Sequence, residues 1–210
     1  MQLKSKNSRL VALLVFTFAL LASTIAAHEP SKTKTEESRR VTSNLKMPPF
    51  TLIDQEGNPF NADDRLRGKV VAINFIYTTC SDVCPLFTVE FARVQQALPS
   101  QTPLKFFLVS ITTDPEIDSP KVLKAYARRF GADFRNWAFL TGDESRLKEV
   151  WKGFGVQVIR RGRGLVQHTN LTTLIDGDGN RRINFLVTQW QFSDFLKDMR
   201  ALSPSSADLR

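Results

Sequence analysis

The chain has 210 residues with 42% hydrophobic and 24% charged positions, a balance that describes a globular protein and excludes a disordered one. Its net charge is +8, but without Lys4, Lys6 and Arg9 of the N-terminal segment only 26 basic residues stand against 21 acidic ones, and no basic stripe is interleaved with stacking aromatics, so no nucleic-acid partner is expected. Two cysteines are too few to staple a domain of this size, which points to local chemistry rather than framework.

Residues 1–27 read as a signal peptide or membrane anchor: three basic residues, an apolar run from Leu10 to Leu21, then small residues. Val11 to Ala27 is about 17 uncharged residues, the lower limit of a membrane span, so cleavage after Ala26 or Ala27 and retention as an anchor both stay open. The basic flank puts the downstream residues on the outer side, as an extracytoplasmic and in particular periplasmic domain, inner-membrane anchored or secreted after cleavage. Residues 28–46 are polar and read as a linker, and residues 47–202 as the domain.

Within the domain, residues 50–60 form a short hairpin turning at Glu56, Gly57 and Asn58. KVVAINFIY (69–77) and LKFFLVSIT (104–112) are continuous apolar runs of the kind found in buried strands. Between them Leu86, Val89, Phe91, Val94 and Leu98 fall at near-helical spacing, so strand, helix and strand suggest a right-handed parallel crossover. Ser119 caps a helix with Pro120 at its first position and Gly131 at its stop. A third strand is expected at 137–142, a helix at 144–154, a hairpin at 169–186 and a last helix around 193–199. The order is α/β, a central sheet with flanking helices.

Both cysteines lie in TTCSDVCP (78–85), directly after the first buried strand. Pro85 suits the first turn of a helix and biases Cys84 to the cap, with Cys80 in the loop before it. There the helix dipole and its free N–H groups favour thiolate, which is both nucleophile and metal ligand. A loop position lets the pair close into a disulfide or open around an ion. An inert exported disulfide, a redox couple and half of a metal site therefore all stay open on the motif alone.

FIYTTCSDVCP, with ITTDPEIDSPKVLKAYARRFG, FLTGDESRLKEVWKGFGV and VQHTNLTTLIDGDGNRR, resembles the Sco/SenC family over about residues 45–200. That resemblance implies a thioredoxin-like fold with an added N-terminal hairpin, and a role in copper delivery to cytochrome c oxidase. Cys80 and Cys84 fall on the family's Cys-x₃-Cys, Asp82 and Pro85 on the residues around it, Asp114, Pro115, Asp118 and Pro120 on its Asp-Pro element. His168 falls on its copper-binding histidine. The implied metal ligands are thus Cys80, Cys84 and His168, for Cu(I) or Cu(II). Two residues depart from the common pattern: Ser81 follows the first cysteine where many members have Pro, and Gln167 precedes the histidine where many have Asp.

The donor types agree with copper, since two thiolates and an imidazole are soft to borderline ligands, whereas structural zinc asks for four protein ligands. The chain has only one other histidine, His28, in the linker. Asp176 to Asn180 resembles the start of a calcium loop, but Arg181 stands where Gly is required, and a hairpin turn is expected instead. Residues 157–167, polar, basic and glycine-containing, read as a mobile loop that brings His168 to the cysteines, with Arg160, Arg161 and Arg163 steering an acidic partner.

Three functions follow from the resemblance. The first is a metallochaperone that passes copper to the CuA-bearing subunit of the oxidase, or to another cuproprotein, with other copper chaperones or thiol reductants as further partners. The second is a thiol-disulfide oxidoreductase in which catalytic Cys80 and Cys84 reduce the cysteines of that copper site. The third is a redox or copper sensor. A peroxidase is disfavoured, because no Pro-x₃-Thr-x₂-Cys pattern precedes Cys80.

Overall fold

A computed structural model describes residues 40–98, 105–186 and 190–203. Residues 1–27, expected to be a signal or anchor, and residues 28–39 of the expected linker lie outside that description.

Residues 40–46, expected as the end of the linker, are instead part of the fold. β1 (Arg40–Thr42) is an exposed edge strand, and Lys46 bridges to Asn180. The hairpin follows as β2 (Thr51–Ile53) and β3 (Pro59–Asn61). Asp54 Oδ1 accepts the N–H groups of Glu56 and Asn58 across its turn, both at 2.9 Å. Asn61 caps a short helix, α1 (Ala62–Leu66), which no sequence pattern announced. Then come β4 (Val70–Ile76), α2 (Val83–Ala97), β5 (Phe106–Thr112), α3 (Pro120–Arg129), β6 (Trp137–Leu140) and α4 (Glu144–Phe154). β7 (Val158–Gly162) and β8 (Leu165–His168) make a second hairpin, and β9 (Thr172–Ile175), β10 (Arg181–Phe185) and α5 (Phe192–Ala201) complete the chain.

The main sheet has six strands in the order β1-β10-β9-β4-β5-β6. β4, β5 and β6 are parallel, β9 runs antiparallel to β4, and β10 antiparallel to β9. Both apolar runs of the sequence form its central strands, with every residue buried. Period-two alternation along β4 divides the core between the two faces. Val70, Ala72 and Ile76 pack with Cys84, Phe91, Leu123 and Phe195. Val71, Ile73 and Phe75 pack on the other side with Phe60, Trp151 and Phe154. The buried face of α2 is Phe87, Phe91 and Val94, so Leu86 and Val89, expected among its apolar positions, stand about half exposed.

Ser119 accepts the Val122 N–H and Pro120 opens α3, as its spacing predicts. This mixed sheet flanked by helices is the thioredoxin-like α/β architecture expected. Its site lies where β4 ends, between the crossover helix and the β7–β8 hairpin.

Candidate metal centre

Beyond β4 the chain is held by a buried carboxylate. Asp118, 0% exposed, accepts the Thr78 N–H at 3.2 and 3.3 Å, the Thr78 hydroxyl, and the Thr112 hydroxyl at 2.6 Å. Thr112 Oγ1 in turn accepts the Asp114 N–H at 2.9 Å, and the Thr113 N–H donates to the Ile76 carbonyl at 2.7 Å. Burial pushes the Asp118 carboxyl above its ordinary range, opposed by the bonds from Thr112 and Thr78. The loop that leads to Cys80 is therefore tied to the β5–α3 connection from inside the core. In the sequence Asp118 stands out only as a match to a motif; its role as an anchor for Thr78 shows only in three dimensions.

Cys80 lies in the loop as expected, its N–H donating to the Tyr77 carbonyl at 3.3 Å. Cys84 is not the cap. Helix α2 begins at Val83 with Asp82 as N-cap, so Cys84 is its second residue and Pro85 its third. First-turn amides have no intrahelical partner, so Pro85 forfeits no hydrogen bond there. The Asp82 side chain makes no cap bond; its backbone N–H, with that of Cys84, is directed at the Cys80 sulfur.

Both cysteines are free thiols, 9% and 1% exposed. The Cys84 S–H donates to Cys80 and, with those two amides and the Tyr77 hydroxyl, draws the Cys80 thiol down to about 5 against the effect of burial. Donation to Cys80 and burial push Cys84 up. The two thiols are thus shifted in opposite directions, chiefly by the hydrogen bond between them, and the free amides at the start of α2 add to the shift on the Cys80 side. Below the pair, Thr88 Oγ1 donates to the Cys84 carbonyl at 2.8 Å and meets the Tyr126 hydroxyl at 2.8 Å.

His168 is the last residue of β8, paired with Val158. Residues 157–167, expected as a mobile loop, lie for the most part in two antiparallel strands, β7 and β8, with a bulge between Arg160 and Gly162. Thr169 closes the base, its N–H donating to the Gln157 carbonyl and its hydroxyl accepting the Gln157 N–H. His168 Nδ1 lies 3.0 Å from the Thr169 carbonyl, which can only accept, so Nδ1 carries the proton and Nε2 presents its lone pair. Nε2 is 4.0 Å from Cys84 Sγ. The Tyr77 ring meets the imidazole edge-on at 5.8 Å. Burial pushes the imidazole pKa down, which keeps it neutral and able to coordinate. Gln167 is exposed, and the orienting role of an acid before the histidine is taken by the Thr169 backbone.

The donor set suits a soft ion. With metal–sulfur and metal–nitrogen bonds of about 2.3 and 2.0 Å, a trigonal ion spans S and N about 3.7 Å apart, close to the 4.0 Å between Cys84 and His168. Cys80 packs in one cluster with Cys84, against which Tyr77 lies. Among the described residues no group of three His, Cys, Asp or Glu side chains stands gathered at ligand spacing. A bound ion therefore requires the Cys80 sulfur to exchange its hydrogen bonds for the metal.

The three arginines separate. Arg160 turns inward to Glu116 at 2.7 Å, whereas Arg161 and Arg163 are exposed. Asp176 is a turn residue, its Oδ1 accepting the N–H groups of Asp178 and Asn180 at 3.1 and 2.9 Å. His28 lies outside the described residues.

A family model described as SCO1/SenC matches residues 38–202. The SCO1 protein homolog of Bacillus subtilis is 30% identical over 164 residues, 76% of this chain and 84% of its own length. The structure of Bradyrhizobium japonicum ScoI with copper bound superposes with a TM-score of 0.64 at 29% identity, covering 75% of this chain and 99% of that one. BsSco, a member of the Sco family of cytochrome c oxidase assembly proteins in which a disulfide switch was identified, gives 0.65 at 29%, covering 77% and 95%.

Proposed function

The chain belongs to the SCO1/SenC family, and on that footing we propose that it carries one copper ion on Cys80, Cys84 and His168 and delivers it to the CuA site of cytochrome c oxidase during assembly. A relative of this fold holds copper, and two sulfurs with one imidazole are the donor types that select it. The observation that carries the reading is His168: Nδ1 is committed to Thr169 and Nε2 faces Cys84 Sγ at 4.0 Å. A disulfide exchange does not require an imidazole ligand. Cys80 meets the ion as a thiolate, and Cys84 gives up its proton as it coordinates. Release follows by ligand exchange, the sulfurs of the recipient replacing those of the carrier one at a time.

The domain works on the outer side of the membrane in this reading, tethered or released according to the fate of residues 1–27. Exposed Arg161 and Arg163 stand on the hairpin that carries His168 and favour an acidic recipient. Reversal of both charges weakens transfer at low salt and leaves copper affinity in place.

Titration of the reduced protein with Cu(I) under anaerobic conditions tests the carrier. One ion is bound tightly, and Cys80→Ser, Cys84→Ser and His168→Ala each weaken it. Affinity indifferent to His168 would move the assignment to the second reading, which the lowered pKa of Cys80 favours. In that chemistry the Cys80 thiolate attacks a target disulfide and displaces one target thiolate. Cys84, once deprotonated, then attacks the Cys80 sulfur and expels the second target thiolate. The target gains two electrons and the protein is left as the Cys80–Cys84 disulfide, returned to dithiol by a thiol reductant.

A further inference from the structure

Arg160 is, with Val158, an inward-facing residue of β7 and stands on the arm that bears His168. Its guanidinium reaches out of the hairpin to the loop between β5 and α3, with Nη1 2.7 Å from Glu116 Oε1. Nη2 is directed at Asp114 but stops at 3.9 Å from Oδ1. Asp114 is 1% exposed. Two buried polar atoms of this pair, Arg160 Nη2 and Asp114 Oδ2, have no hydrogen-bond partner. The guanidinium is bonded on one side only, and on the other it stands about 1 Å beyond bonding distance of a buried carboxyl whose second oxygen has no partner, so the pair is a contact half made. Burial raises the Asp114 carboxyl above its ordinary range in spite of Arg160.

Two lesser contacts lie on the same seam. The Thr79 hydroxyl donates to the Gly164 carbonyl at 3.1 Å, and a Cβ on Gly164 would meet Ile117 Cδ1 at 3.2 Å. The hairpin thus touches both the cysteine loop and the loop that Asp118 ties to it. Because β7 and β8 are paired, a shift of Arg160 carries Val166 and, through it, His168.

We infer that Arg160 is the positioning residue for His168, holding the β7–β8 hairpin on the 113–118 loop through Glu116 and seating it further through Asp114 when the imidazole takes a metal. This rests on the copper reading for its purpose, though not for its geometry. Glu116 keeps the arm near the cysteines before loading. The unmade Asp114 contact supplies the additional inward step, so metal binding and closure of the pair favour one another.

The test uses the full chain, with Arg160→Ala, Arg160→Lys and Asp114→Asn, read by amide exchange of Ile159, Val166 and Gln167 and by competition for Cu(I) with a chelator. Arg160→Ala raises exchange of those amides about tenfold in the metal-free protein while β4 and β5 stay protected, and Arg160→Lys restores part of it. Arg160→Ala weakens copper about tenfold. The decisive arm is the double variant: in a His168→Ala background Arg160→Ala costs no further affinity, because Arg160 acts only through the imidazole. Asp114→Asn leaves metal-free exchange near that of the wild type and abolishes the extra protection that copper brings. Unchanged hairpin exchange in Arg160→Ala would overturn the inference, as would a copper effect that persists without His168. A wild-type chain that takes up no copper would defeat the carrier reading instead, and the exchange comparison would still decide whether Arg160 holds the arm.

Discussion

The cysteine loop is held from inside the core, by a carboxylate of 0% exposure that takes bonds from Thr78 and Thr112, whereas the His168 hairpin is held from its rim, by an arginine side chain 22% exposed against a glutamate 57% exposed. Buried networks of the first kind are costly to break, because each orphaned donor loses both its partner and water. Ion pairs of the second kind hold less firmly, because solvent screens them and partly replaces them. The thiolate half of the site is therefore rigid and the imidazole half adjustable. For a carrier the division has a use: sulfurs that stay in place to receive an ion, and a third ligand that can withdraw to release it.

The largest expected effect follows from attacking the rigid half. Asp118→Asn keeps the volume of the side chain but turns one acceptor into a donor beside Thr78 and Thr112, which already donate. A loss of about 2–4 kcal/mol is expected in chemical denaturation. A loss under about 1 kcal/mol would mean that the loop is not anchored there, and the contrast between the halves would fall.

Next in size is the charge on Cys80. Alkylation of a Cys84→Ser variant, whose hydroxyl can still donate, keeps its rate as pH falls and declines only toward the value of about 5 set for Cys80. A free thiol declines below about 8.5. Cys84→Ala removes the largest of the donors and moves the midpoint upward. A folded pKa below the unfolded one adds stability above the unfolded value, lost as pH falls through the folded value. The contribution of Cys80 to stability thus rises with pH between about 5 and the ordinary thiol range, and Cys80→Ser removes that contribution. A midpoint near that of a free thiol would leave no preformed thiolate, and the loop would be rigid without being poised.

Much of the rigid half was legible in the sequence and little of the adjustable one. VVAINFI and FFLVSIT could only be buried strands, and Cys80 and Cys84 at the end of the first pointed to the site directly. The hairpin hid because its inward positions include a charged residue, Arg160, and one glycine ends β7 while another lies in the turn, so VIRRGRGLVQ lacks the alternation that marks a strand. β1 hid for a related reason, all three of its residues being exposed. It is fixed by backbone pairing to β10 and by Arg40 in a bidentate pair with Asp198. The hydrogen bond that orients His168 runs to a backbone carbonyl, which any residue at 169 would supply. A contact of that kind leaves no mark in the identity of the neighbouring side chain.

A moderate effect is expected at Gly164, whose φ of +74° already disfavours a side chain and whose Cβ would press on Ile117 at 3.2 Å and Thr79 at 3.4 Å. Gly179, at φ +79° with nothing within 4 Å, carries the same backbone strain without the contact. Each alanine costs about 1–2 kcal/mol. Only Gly164→Ala props the hairpin off the loop, so it alone weakens copper and speeds hairpin exchange. Equal behaviour of the two variants in exchange would show that the seam is not a fitted contact.

The smallest effect belongs to Thr79→Val, and it bears most directly on the contrast between the halves. Thr79 is on the cysteine loop, its hydroxyl reaches across to the Gly164 carbonyl at 3.1 Å, and the bond lies at the surface. Water can replace it on both sides, so global stability changes by about 0.5 kcal/mol or less. Local opening of the hairpin is a different quantity, because an arm held by few contacts loses a larger share of its protection when one is removed. Faster exchange at Val166 and Gln167 with an unchanged denaturation midpoint is therefore expected. If the midpoint moves and the exchange does not, the hairpin opens only with the whole fold, and both halves of the site are equally rigid.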